Sequence, residues 1–191
     1  MPVVIHHGLV LGPDGKKLSK RHGHSSIAEL RVEGLPPAAV RAYLDELGLP
    51  EHDVQLDLAR LGRLAIDAIA AMPDEELAAA ADAPLEVVPA LRGARTLVEA
   101  REYAAQVLRP AHAPAPADAR PTLDRFAELR APAPERLSPD KARAIVRELK
   151  AVGGDLRAIR LALTGADRGP ELWAVLAAIP RDEALARAAR S

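Results

Sequence analysis

The residues best suited to chemistry lie near the start of the chain, in the string Gly12-Pro13-Asp14-Gly15-Lys16-Lys17-Leu18-Ser19-Lys20-Arg21-His22-Gly23. Four cations, Lys16, Lys17, Lys20 and Arg21, fall within six residues beside a single acid, Asp14. Such a loop attracts an anion. Its glycines let the backbone approach a ligand closely, and each ammonium acts as a compact point charge on phosphate oxygens. Polyphosphate and nucleic acid are the ligand classes that fit, and a solvated basic patch is the reading in which no ligand takes part.

Other residue types narrow the chemistry further. The 191 residues include no Cys, so thiolate metal sites, cysteine nucleophiles and a disulfide framework are excluded. His6-His7 and His22-Gly23-His24 lack a third ligand at a spacing that closes a metal site, so no metal ligand is assigned. Asp74-Glu75-Glu76 reads as the acidic first turn of a helix, where carboxylates complement the macrodipole, and not as an acid-base pair. With 26 basic and 27 acidic residues the net charge is −1, so any surface for nucleic acid must be local.

The elements that carry these residues read as mostly helical. Ala and Leu dominate the 49% hydrophobic content, and only Tyr43, Tyr103, Phe126 and Trp173 are aromatic, a mixture that favours helices with modest cores. Val3-Val4-Ile5 and Gly8 to Leu11 form an extended arm or short strand entering the basic loop. That strand has no partner downstream, where everything reads helical, so the chain is expected to start in mid-structure. Ser26 and Glu29 have capping-box spacing for a helix that stops at Gly34, and Pro36-Pro37 open a second that ends at Gly48. Leu58, Leu61, Ala65, Ile66 and Ile69 keep helical spacing up to Met72-Pro73. A short helix follows Pro73, one or two more lie between Val87 and Leu108, and the Pro-rich stretch from Pro110 to Pro121 reads as a linker. Helices are then expected over Thr122 to Leu129, Ser138 to Val152, Leu156 to Leu163, and Glu171 to Arg190 with a break at Pro180. No apolar run is long enough to span a bilayer.

Two groups of residues carry a family resemblance. Lys17-Leu18-Ser19-Lys20-Arg21 resembles the KMSKS signature of class I aminoacyl-tRNA synthetases, and GPDGKKLSKRHG resembles its glutamyl-tRNA synthetase form. Glu33-Gly34-Leu35-Pro36-Pro37 with the helix after it, and Asp57-Leu58-Ala59-Arg60-Leu61, resemble that family's stem-contact region, here shorter than in common bacterial members. Leu161-Ala162-Leu163-Thr164-Gly165 followed by Gly169-Pro170-Glu171-Leu172 resembles the ALTG…GPEL turn of its distal anticodon-binding subdomain.

The resemblance implies a mainly α-helical fold, with helical stem-contact and anticodon-binding subdomains preceded by a strand and loop remnant of a Rossmann-type catalytic domain. The corresponding divisions are residues 1–25 for the remnant with the KLSKR loop, 26–72 for the stem-contact region, 73–110 for a first anticodon-binding subdomain, and 111–191 for the linker and distal subdomain. It implies glutamate-tRNA ligase activity in a complete enzyme that uses ATP with Mg2+, L-glutamate and tRNA(Glu), is cytoplasmic, and is a monomer. Lys20 matches the lysine that stabilises charge on departing pyrophosphate, with Lys17, Ser19 and Arg21 as further ATP and phosphate contacts. Arg160, Gly169, Pro170, Leu172 and Trp173 match anticodon contacts. A Trp one turn inside a helix is either a stacking surface for an unpaired base or part of the core. The nucleotide-binding sheet and HIGH motif of the family's upstream half have no counterpart in these residues. By itself the chain is therefore expected not to aminoacylate tRNA, being either a piece completed by an N-terminal catalytic half or a stand-alone tRNA-binding module.

Overall fold

A computed structural model describes residues 6–12, 15–17, 27–114 and 116–190. These residues fall into two compact units, one within the bounds Met1–Met72 and Arg95–Glu99 and the other within Pro73–Ala94 and Ala100–Ser191. Among the described residues, no helix is long and apolar enough to cross a membrane.

The first unit is built on two helices packed together, α2 (Pro37–Leu47) and α3 (Leu58–Ala71), preceded by α1 (Ile27–Val32). Pro37 opens α2, where a missing N–H costs nothing, and Gly48 ends it at φ 58° by donating its N–H to Leu44 O. Asp57 caps α3 by accepting the Arg60 N–H at 2.8 Å. Its own N–H donates to the Tyr43 hydroxyl at 2.8 Å, so a core residue of α2 fixes where α3 begins. Ala39, Tyr43, Leu61, Leu64 and Ala65 form the buried centre, with Leu30, Leu35, Leu47 and Leu56 packed against it.

The extended arm does have a partner. Strand β1 (Val10–Leu11) pairs in parallel with β2 (Val54–Gln55), in the register Val10 to Val54 and Leu11 to Gln55. The expectation of an unpaired strand is thereby overturned. A two-residue strand between helices leaves too short an alternation to be seen in sequence, and its parallel pairing depends on a contact across more than forty residues. The Val3 to Ile5 segment and Ser26 lie outside the described residues.

The second unit contains α4 (Asp74–Ala81), α5 (Val88–Leu91), most of α6 (Leu97–Leu108), α7 (Arg120–Arg130), α8 (Pro139–Ala151), α9 (Leu156–Thr164), α10 (Leu172–Ala178) and α11 (Arg181–Arg190). Leu77, Leu91, Phe126, Leu149, Ile159, Leu163, Leu176 and Ile179 are fully or almost fully buried in its core. Helix α7 starts within the Pro-rich stretch, at Arg120, because Pro121 occupies a first-turn position that needs no donor. Ser138 caps α8 and Asp155 caps α9, the latter accepting from Arg157 N at 2.9 Å and Ala158 N at 3.1 Å.

Two buried arginines tie this unit together through backbone carbonyls. Arg187, 4% exposed, donates to Leu163 O at 2.7 Å and Val107 O at 2.9 Å, joining α11 to the ends of α9 and α6. Arg130 donates to Pro134 O at 2.7 Å and Glu135 O at 2.8 Å, and burial lowers its guanidinium pKa. Carbonyls at helix ends lack intrahelical donors, and a planar guanidinium satisfies two at once.

Candidate nucleotide loop and nucleic-acid interface

The stem of the basic loop is held mainly by backbone contacts. Gly8 N donates to Pro50 O at 2.7 Å, Val54 N to Leu9 O at 2.9 Å, and Leu56 N to Leu11 O at 2.8 Å. Leu9 N adds a bond to the Asp53 carboxylate at 2.8 Å. A Cβ on Gly8 would lie 2.0 Å from His52 O, so only glycine lets the two segments approach this closely. Beyond β1 the chain reverses. Gly12 N donates to Lys16 O at 2.7 Å, Gly15 N donates to Gly12 O at 2.9 Å, and Gly15 takes φ 72°. Lys17 then bridges back to Leu11 in antiparallel fashion. Buried Gly12 and exposed Lys16 and Lys17 thus form a tight reversal that carries its cations outward. Ser19, Lys20 and Arg21 lie outside the described residues, as do His22 and His24. His6 and His7 are exposed, and among the described residues no cluster of three or more metal-ligating side chains occurs.

The distal turn runs from α9 to α10. Gly165 ends α9 at φ 70° with its N–H on Leu161 O, and Thr164 Oγ1 donates back to Arg160 O at 2.8 Å. A side chain at 165 has no room: its Cβ would lie 2.0 Å from Ala111 O, on the segment entering the Pro-rich stretch. Across the turn, Arg157 pairs with Asp167 at 2.9 Å. Arg160 is half-buried and donates to Pro170 O. Burial pushes its guanidinium below the ordinary value, while Glu171 and Tyr103 act in the opposite direction.

The five residues singled out around this turn differ in what they offer. Arg160, Gly169 and Pro170 meet at the turn itself. Leu172 is 5% exposed and packs into the core, so it supports the turn from beneath. Trp173 is half-buried, and the Arg143 guanidinium from α8 covers its face, 3.9 Å from the ring centroid.

Sequence reasoning passed over two neighbours. One is Arg143, whose position on the exposed side of α8 gave no sign of a contact thirty residues away. The other is Gln106 on α6, whose Oε1 is buried without a hydrogen-bond partner and would lie 2.1 Å from a Cβ at Gly169. Gly169, at φ 152°, therefore leaves the space that the Gln106 carboxamide fills. A single glycine in a turn carries no signal of what it makes room for.

Comparison with known proteins gives one consistent neighbourhood. No protein-family model matches the chain. Glutamate-tRNA ligase 1 of Methylorubrum extorquens is 34% identical over 98% of the chain and 52% of its own length. The enzyme of that name from Rubrobacter xylanophilus is 32% identical over 100% of the chain and 55% of its length, and that from Gluconacetobacter diazotrophicus 31% over 98% and 51%. The chain thus spans about half the length of the curated relatives it matches. These alignments run over 245, 239 and 241 residues, more than the 191 present, so the relatives carry additional residues within the matched span. Among solved structures, a glutamate tRNA ligase from Elizabethkingia meningosepticum superposes with a TM-score of 0.66 over 96% of this chain and 50% of that one, at 15% identity. The glutamate-tRNA synthetase of Elizabethkingia anophelis does so with a TM-score of 0.62 at 16% identity. They share the fold of the described residues.

Proposed function

The chain is a relative of the glutamate-tRNA ligases that matches about half the length of each, and from that premise we propose that it is the C-terminal part of such an enzyme. In this reading it supplies the ATP-side loop and the helical surface that binds tRNA(Glu). The observation that carries the proposal is the match along nearly the whole chain, within which KLSKR and the ALTG…GPEL turn keep the family's order.

At the loop, the reversal at Gly12 to Lys17 projects cations from a stem anchored on β2, an arrangement suited to a polyphosphate. Activation of glutamate is an in-line displacement at the α-phosphate of ATP, which leaves negative charge on pyrophosphate. The Lys20 ammonium stabilises that charge, and Lys17, Ser19 and Arg21 hold the phosphates against the loop. Mg2+ accompanies ATP, and L-glutamate is bound by the other half of the enzyme. The protein acts in the cytoplasm as a monomer.

At the distal turn, Arg160 and Trp173 border the anticodon bases, while Gly169, Pro170 and Leu172 fix the backbone that presents them. Unpaired bases are read by stacking on aromatic or guanidinium planes and by hydrogen bonds to their edges. The Arg160 guanidinium keeps donors beyond the one spent on Pro170 O.

Filter binding of the chain to several tRNAs across a range of salt concentrations tests the proposal. Tighter binding of tRNA(Glu) that survives moderate salt is expected, and affinity indifferent to tRNA identity would sink the anticodon assignment. With glutamate, ATP and tRNA(Glu), the 191-residue chain alone is expected to yield no ATP–pyrophosphate exchange. Exchange by the chain alone would refute the view that Lys20 acts only together with an upstream half.

A further inference from the structure

Helix α8 presents a face that nothing in the assigned turn explains. Ala142, Ile145 and Leu149 point into the core, whereas Arg143, Arg147 and Lys150 are exposed at i, i+4 and i+7 and so share one stripe. Each residue adds about 1.5 Å along a helix, so the stripe is roughly 10 Å long. One end of it lies on Trp173 through the stacked Arg143 guanidinium.

Charge pairing sets this stripe apart from several other arginine-bearing helices. Arg41 pairs with Asp45, Arg95 with Glu99, Arg120 with Asp124 and Arg125 with Glu128, each one helical turn away. On α8 Arg143 is paired in the same way, with Asp140 at 3.5 Å, but Arg147 and Lys150 have no ion-pair partner among the described residues. Glu148, the other acid of the helix, sits about 100° around from Arg147.

We propose that α8 is a track for single-stranded RNA, in which one base stacks on the outer face of the Arg143 guanidinium over Trp173 and the following phosphates lie along Arg147 and Lys150. The Arg143 side chain is 45% exposed while its inner face rests on the indole, which is the state a guanidinium needs to accept a second π-system. Two unpaired cations spaced one turn apart match a backbone that carries one charge per nucleotide. The proposal rests on the tRNA-binding reading and adds to it a surface outside the α9–α10 turn.

Trp173 is the only Trp in the chain, so its emission reports on the Arg143 face together with the adjoining α9–α10 turn, and the α8 variants separate the two. The full chain would be titrated with a short hairpin RNA carrying the anticodon loop of tRNA(Glu), with the same hairpin bearing a non-cognate loop, and with a blunt RNA duplex. Trp173 emission is expected to change with both hairpins and not with the duplex. Arg143→Lys keeps the charge and loses the stacking plane, so it should weaken hairpin binding about five-fold or more with the salt slope unchanged. Arg147→Ala with Lys150→Ala should leave the emission change intact and reduce the slope of log K against log salt by about 1.4. Circular dichroism confirms that each variant is folded, and Arg125→Ala on α7 serves as a paired-cation control.

If hairpins bind but Trp173 emission and the α8 variants are indistinguishable from wild type, the track is refuted while the tRNA reading stands. If the variants behave as expected but cognate and non-cognate loops bind equally, the α8 surface stands and the anticodon assignment falls. Equal binding of the duplex with an equal emission change would overturn the single-strand preference.

Discussion

Two glycines with almost the same backbone make it possible to isolate one packing contact. Gly153 follows α8 at φ 72° and Gly165 follows α9 at φ 70°. Replacing either by Ala imposes the left-handed penalty, about 1–2 kcal/mol, offset in part by about 0.4–1 kcal/mol of lost unfolded-state entropy. Those terms are shared. The surroundings are not: a Cβ at 153 meets nothing within 4 Å, whereas one at 165 lies 2.0 Å from Ala111 O, 2.8 Å from its C and 2.9 Å from its N. All three are backbone atoms, so no rotamer change relieves the overlap and the segment around Ala111 must shift.

Forcing extra volume into a packed site costs about 1–3 kcal/mol. Gly165→Ala should therefore be less stable than Gly153→Ala by that amount, about 4–12 °C in Tm for a unit of roughly a hundred residues. Urea unfolding followed by Trp173 emission and by circular dichroism measures both variants on the same unit. The expected result is a lower midpoint for Gly165→Ala at equal m. Equal stability of the two variants, within about 0.5 kcal/mol, would show that the start of the Pro-rich stretch is not seated on the end of α9.

Three other perturbations follow from single contacts. Gly8→Ala should separate β1 from β2, read as faster hydrogen exchange at the Val54 and Leu56 amides with the second unit's core amides unchanged. Gly169→Ala should displace the Gln106 carboxamide, and Gln106→Ala in that background should restore stability, giving a double-mutant coupling of about 1 kcal/mol or more; additive effects would disprove the contact. The Arg60 hydrogen bonds hold the Glu46 carboxyl below its ordinary value of 4.5. A carboxyl with a lower pKa folded than unfolded adds stability above the unfolded value and loses it as pH falls through the folded one. Glu46→Gln should thus flatten a small part of the acid limb below about pH 4.5, small because the pair is exposed and screened.

Much of the helical order was legible because it rests on local signals. Pro37, Gly48, Asp57, Ser138 and Gly165 act within a turn of where they stand, and helices begin or end beside each of them. The start of α6 was equally local and was missed: Thr96 Oγ1 accepts from Glu99 N at 3.1 Å, and the Glu99 carboxylate accepts from Arg95 N at 2.6 Å, a variant of the capping box. What sequence could not carry were contacts between distant segments. The β1–β2 pairing joins residues 44 apart, Gly165 is matched to Ala111, and Gly169 to Gln106. The KLSKR motif named a chemistry from residue types alone, yet Arg143 became visible only when α8 and α10 were seen packed together.

The distribution of charge pairs explains how a chain of net charge −1 can bear a nucleic-acid surface. A cation already bonded to a carboxylate one turn away cannot neutralise a phosphate without breaking that bond, and the freed carboxylate then repels the same phosphate. Arg120 and Arg125 on α7 are in this position, at 3.1 Å from Asp124 and 2.8 Å from Glu128. Arg147 and Lys150 are not, so each can release a counterion from RNA at no cost in an internal pair. Among the described residues, acids one turn away quench cations on α2 and α7 and at the start of α6 in this way. For that reason the count of basic residues carries little information about this protein's partners, and the positions at which basic residues lack an acid one turn away carry most of it.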